Sequence, residues 1–198
     1  MIFEYLKLNL EVADEEFNAI YPEWVRKLAD RHWTPIDVTK KASQFLVDKP
    51  GTRVLDIGSG PGKFCMVGAS YTKGDFTGVE QRYGLVELSK KVSQYYKIPN
   101  VNFIHANITS IKFKDYDSFY FYNSFHENIH FKSKIDGTIT TSVELYNLYH
   151  MYLYEQLSLA PKETRLVTYW SVSKEIPSNY ELQFSCYHGL LKFWKKTS

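Results

Sequence analysis

Residues 54–65 read Val-Leu-Asp-Ile-Gly-Ser-Gly-Pro-Gly-Lys-Phe-Cys, an apolar strand running straight into a turn that holds Gly58, Gly60 and Gly62. Glycine there permits left-handed backbone angles or the close approach of a ligand, both of which a side chain would block. Glycines in a loop say little alone. Here a strand precedes the turn, a helical pattern follows it, and a carboxylate, Glu80, ends the next strand about 20 residues on. That context predicts a β-α-β unit with a ligand seated on the turn.

The rest of the chain keeps the same rhythm. Short apolar runs predict strands over 53–57, 76–80, 101–105, 117–122 and 166–172, alternating with helical patterns over 64–71, 85–96 and 143–159. After Pro177 two further runs, 180–187 and 190–194, flank Gly189 with no helix between them, which predicts an antiparallel hairpin. The expected fold is α/β: a doubly wound, Rossmann-like, seven-stranded sheet, mostly parallel, ending in that hairpin. Residues 36–47 predict a helix leading into the core. Before it, the spacing of Phe17, Ile20, Tyr21, Trp24, Val25 and Leu28 predicts one amphipathic helix over 14–30, bent near Pro22. The expected division is a helical extension over 1–35, acting as a lid or substrate element, and a core domain over 36–198. The polar stretch 132–142 is the loosest segment.

Composition narrows the setting. With 198 residues, a net charge of +2 and no apolar stretch of the roughly 18 residues a membrane span needs, the chain reads as a soluble, single-core protein. Met1 to Leu10 lack the layout of an export signal, so the expected compartment is the cytoplasm. The charge does not favour a nucleic-acid partner, although Lys192, Lys195 and Lys196 leave room for a local basic patch. Cys65 and Cys186 read as buried thiols. His126 and His130 have the spacing a helix uses to bind zinc, but no third ligand is evident, and no metal is expected.

The spacing of the turn decides which cofactor it suits. A dinucleotide fingerprint asks for G-x-G-x-x-G, yet the sixth position from Gly58 is Lys63. Asp56 would repel a pyrophosphate and suits a cationic amino-acid head, such as that of S-adenosylmethionine, which carries both an ammonium and a sulfonium. Val54 to Gly62 resembles the first motif of class I S-adenosylmethionine-dependent methyltransferases, and the likeness spans about residues 36–196. Trp33-Thr34-Pro35, Gly62-Lys63-Phe64-Cys65 and Gly78-Val79-Glu80-Gln81-Arg82 resemble a bacterial group of small, functionally unassigned members.

The resemblance implies roles. Asp56, Gly58, Ser59, Gly60 and Gly62 would hold the methionine end of S-adenosyl-L-methionine, Glu80 with Gln81 its ribose, and Asn107 with Ile108 its adenine. Asn107 stands where many members have Asp. Tyr122-Asn123-Ser124-Phe125 loosely resembles the Asn/Asp-Pro-Pro-Tyr/Phe signature of amino-group methyltransferases, without the prolines. Asn123 would then orient the acceptor, Phe125 wall the pocket, and His126 or Glu127 remove the proton lost on transfer. Trp33 and Thr34 lie where related enzymes place a lid. A protein amine is the favoured acceptor, then a small molecule, with an RNA base third. Competing readings are a non-catalytic cofactor-binding subunit serving a partner and a nicotinamide oxidoreductase.

Overall fold

Side chains alternate across the central strands, and two helical layers take up the two faces. In β1 (Arg53–Ile57), Val54 packs with Phe64, Met66 and Tyr120, whereas Leu55 and Ile57 pack with Phe119, Phe121 and Leu153 on the other side. The structure, a computed structural model, describes residues 2–130, 134–171 and 175–198. Among them β2 (Asp75–Glu80), β3 (Val101–His105), β4 (Ser118–Phe121) and β5 (Arg165–Tyr169) join β1 in parallel, and β6 (Tyr180–Cys186) and β7 (Leu191–Lys196) add the antiparallel hairpin. The seven-stranded order is β3-β2-β1-β4-β5-β7-β6. This is the doubly wound, mostly parallel sheet expected from the sequence. Its strand order reverses between β1 and β4, and ligands of such sheets gather at that crevice. Val172, expected in the fifth strand, lies outside the described residues, as do 132 and 133 of the polar stretch.

The helices α1 (Ile2–Lys7), α2 (Asp14–Asn18), α3 (Glu23–Arg26), α4 (Ala29–His32), α5 (Ile36–Leu46), α6 (Lys63–Tyr71) and α7 (Tyr83–Tyr95) precede β3, and α8 (Val143–Leu159) covers the opposite face. The single helix expected over 14–30 is therefore three short ones. Pro22 caps α3 with φ −64° and ψ 153°, an extended conformation that ends helical pairing, and the chain turns again at Leu28. The apolar spacing survives because each break re-aims the next segment: Phe17, Tyr21 and Val25 are all buried, while Trp24 stays 56% exposed. Phe3, Leu6, Phe17, Tyr21, Val25 and Trp33 share one hydrophobic cluster with Val54, Phe64 and Met66 of the sheet and α6. At about 1.5–3 kcal/mol per fully buried large apolar side chain, the first 35 residues add substantially to the core.

Two expectations about side-chain placement change. Lys196 is buried, its ammonium donating to the carbonyls of Leu157 and Ser158, while Lys195 pairs with Glu163 and Lys192 donates to the Ser171 carbonyl. The hairpin strands thus spend these three lysines on local partners, and they form no open basic patch. Cys65 is buried as expected, but Cys186 is half-buried near the end of edge strand β6. Among the described residues, no helix is long and apolar enough to cross a membrane.

Candidate functional site

A cavity of about 690 Å³ opens at the carboxyl ends of β1, β2, β4 and β5, beneath the turns of α2 and α4. Of the residues singled out from sequence, Gly58, Gly60, Glu80, Asn123, His126 and Glu127 line it. Fifty or more residues separate some of these along the chain, and the parallel strands bring them to one edge.

The glycine turn forms the floor. Gly58 and Ser59 both donate their backbone N–H to the Val79 carbonyl at 2.9 Å, which pins the turn to the end of β2. Gly58 has φ +77°, and a Cβ there would lie 2.5 Å from the Cβ of Ser124, so the loop after β4 rests directly on the turn. Gly60 faces open space, and its N–H donates to one Glu80 carboxylate oxygen at 3.2 Å. The other Glu80 oxygen accepts the Arg82 backbone N–H at 2.9 Å. Glu80 is only 6% exposed, and burial pushes its carboxyl above the usual range.

Arg82, to which the sequence reading gave no role, organises the wall beside it. Its guanidinium holds Glu127 through two hydrogen bonds of 3.0 and 2.6 Å, Asp136 at 3.0 Å and Glu80 at 3.6 Å. Both oxygens of Glu127 are thereby engaged, so its side chain ties the loop after β4 to β2 rather than standing ready to take a proton. Lys63 was likewise unassigned. It is buried at the start of α6, paired with Asp14 of α2, bonded to Asn18 at 2.9 Å, and lies over the rings of Phe17 and Trp33. Asp14 also accepts the Ile36 N–H at the start of α5, at 3.2 Å, so one carboxylate staples the extension across the cavity. Tyr21 donates to the Pro61 carbonyl at 3.1 Å and Tyr122 to the Arg31 carbonyl at 3.2 Å, closing the same cover. Trp33 lines the cavity, and Thr34 shares a 2.8 Å hydrogen bond with Tyr120.

Several expected contacts are elsewhere. Asp56 alternates with Leu55 and Ile57 and so faces α6, where the Cys65 thiol donates to it at 3.4 Å; it lies behind the turn, outside the cavity wall. Gly62 and Ser59 also point inward, against Phe103 and Gly78 respectively. Asn107 caps the short 3-10 helix Ile108–Ser110, its oxygen accepting from Thr109 and its amide nitrogen donating to Gln81 and Tyr149. Gln81 and Asn107 thus satisfy each other, Ile108 is core, and none of the three borders the cavity. Phe125 is 4% exposed among Phe121, Tyr149 and His150, so it belongs to the layer under α8 and does not wall the pocket. His126 and His130 stack with ring centroids 5.3 Å apart.

Burial raises the Asp56 carboxyl from 3.8 to about 7, with the nearby Glu80 charge adding to the shift and the Cys65 hydrogen bond opposing it. An acid whose pKa rises on folding stabilises the fold most when protonated, and that contribution is lost as pH climbs through the folded value. The neutral variant Asp56→Asn is accordingly expected to gain stability relative to the parent as pH increases from about 4 to about 7. Urea unfolding at several pH values measures this; parallel stability curves for the two proteins would mean that Asp56 ionises freely in the folded state.

The strand ends carry backbone strain. Asn123 follows β4 at φ 41° and Trp170 follows β5 at φ 55°, both in the left-handed region. Asparagine tolerates that conformation, whereas a bulky aromatic rarely adopts it. Both lie just past the ends of the paired strands β4 and β5 and line the cavity.

A family profile described as a methyltransferase domain matches residues 48–169. No curated protein sequence matches the chain significantly. Among solved structures, TrmN from Thermus thermophilus is similar with a TM-score of 0.60 at 14% identity, over 87% of this chain and 52% of that one. An RNA methyltransferase from Salinibacter ruber, in complex with S-adenosyl-L-homocysteine, gives 0.51 at 14% identity over 90% and 94%. The cyclase SpnF gives 0.53 at 17% over 67% and 43%, so this chain spans about half the length of SpnF and of TrmN. At these identities the likeness is one of fold.

Proposed function

We propose, from the premise that this chain belongs to the methyltransferase-domain family, that it transfers a methyl group from S-adenosylmethionine to a nitrogen, or an oxygen, of an acceptor held at the loop after β4. The observation that carries the reading is the joint between Gly60 and Glu80: a buried carboxylate bonded to the glycine turn at the cavity wall. Each Glu80 oxygen accepts one backbone N–H, which leaves each with a lone pair for one hydroxyl of a ribose diol. Gly60 presents bare backbone, with nothing within 4 Å of where a Cβ would sit. The volume suits a nucleoside-sized ligand with space beside it. These features fit the cofactor, with Gly58, Gly60 and Glu80 as its holders.

When bound, S-adenosylmethionine supplies a sulfonium methyl: the acceptor lone pair forms the new bond to carbon as the carbon–sulfur bond breaks, its electron pair remaining on sulfur. The chain's part is positioning and proton removal. Asn123, fixed by its left-handed bend, orients the acceptor. His126 lines the cavity three residues on, its backbone N–H bonded to the Asn123 carbonyl at 3.1 Å, and takes the proton that nitrogen or oxygen loses. Glu127, engaged by Arg82, keeps the loop in place. The favoured acceptor is an amine of a protein side chain or of a small molecule, and a hydroxyl is the alternative. A partner-dependent, non-catalytic role has no observation in its favour, since the cavity is open beside Asn123.

Calorimetric titration with S-adenosylhomocysteine and, separately, with NAD tests the cofactor; binding of NAD alone would overturn the reading. Asn123→Ala, and Asn123→Gly, which keeps the bend without strain, are both expected to slow turnover about 100-fold while leaving S-adenosylhomocysteine affinity unchanged. Undiminished turnover in the glycine variant would remove the Asn123 side chain from the mechanism.

A further inference from the structure

The geometry points to an aromatic recess of Tyr122, Tyr169 and Trp170 as the acceptor subsite, and to an alkylamine as the group it receives. This deepens the methyl-transfer reading of the cavity and rests on it. Phe121 pairs with Thr168 in the register of β4 and β5, so the next residues, Tyr122 and Tyr169, lie side by side, followed by Asn123 and Trp170. The Tyr122 and Tyr169 rings are 4.8 Å apart, and Trp170 meets Tyr169 edge-on at 6.4 Å. All three border the cavity.

Trp170 is not there for packing. The residue is 54% exposed, yet its backbone is held in a left-handed conformation that disfavours bulky residues, locked by an N–H bond to the Leu190 carbonyl at 3.0 Å. Strain retained to present a wet indole at a cavity mouth is accounted for by a ligand that uses the ring. The charge around it selects which ligand. Asp14 is spent on Lys63 and Glu127 on Arg82, while Glu80 is reserved for the ribose. Glu15 and Asp30 add to these, so five carboxylates line the cavity against three permanent cations, Arg31, Lys63 and Arg82. The turn whose Arg31 carbonyl accepts from Tyr122 carries both Asp30 and Arg31 to the cavity lining. π-faces with surplus negative charge bind ammonium groups and disfavour phosphates.

The test uses the full chain saturated with S-adenosylhomocysteine and two isosteric probes, choline and its uncharged analogue 3,3-dimethylbutanol. Calorimetry is expected to show choline bound about tenfold more tightly. Trp170→Asn, which tolerates the bend and lacks the ring, is expected to abolish that preference, and Trp170→Phe to keep most of it, with S-adenosylhomocysteine affinity equal in all three proteins. A second arm replaces choline with a short peptide bearing one trimethyllysine. Tighter choline binding assigns the amine to a small molecule, and tighter peptide binding assigns it to a protein side chain. Equal binding of the charged and neutral probes, or a preference that survives in Trp170→Asn, overturns the inference. Failure of the parent to bind S-adenosylhomocysteine would instead remove the methyl-transfer reading beneath it.

Discussion

Arg82→Met is expected to lose about 3–5 kcal/mol of folding stability, the usual consequence of removing one partner from a buried ion cluster. Methionine fills much of the space but leaves three carboxylates facing one another. Glu80, Glu127 and Asp136 come from three separate segments, and the guanidinium is what allows them to lie together. Denaturant unfolding measures the loss. Lowering the pH should shrink it, since protonation neutralises the stranded carboxylates, and Glu80 already holds its proton more firmly than usual because it is buried. A deficit under about 1 kcal/mol that is flat with pH would place Arg82 among ordinary surface pairs.

Glu80→Gln is expected to weaken S-adenosylhomocysteine binding by roughly 100-fold, since two hydroxyl hydrogen bonds to a charged acceptor are each reduced or lost. The same substitution should perturb the fold less than Arg82→Met does, because the amide oxygen still accepts from one of the two backbone N–H groups now bonded to the carboxylate. Comparing calorimetric affinity with the urea midpoint separates the two effects. Should affinity persist within a factor of about three, the ribose is held elsewhere.

What the sequence disclosed was local. The turn at Gly58 and the carboxylate at Glu80 belong to one β-α-β unit, so their separation along the chain encodes their meeting in space. Strand identity was equally plain, because alternation and punctuation are short-range. Arg82 was opaque for the opposite reason: its function depends on carboxylates 45 and 54 residues away, which only the sheet topology delivers. Asp56 and Phe125 are neighbours of cavity-lining residues in sequence but do not line the cavity themselves. Asp56 shares a strand face with Val54 and must turn toward α6, and Phe125 is drawn under α8 by three neighbouring rings. The helix expected over 14–30 failed because apolar spacing reports which side chains are buried, and three short helices satisfy that pattern as well as one.

The staple at Asp14 bears on how the chain is made. Its lysine partner lies 49 residues downstream, and the later contacts of Thr34 and Arg31 wait for residues 86 and 91 positions further on. On the ribosome, the segment holding Phe3, Leu6, Phe17 and Trp33 therefore emerges before the surface it eventually covers, and it must remain unaggregated until β4 has been synthesised. This segment is made before the sheet that completes it, so its apolar side chains stay open to chaperones and proteases until β4 follows.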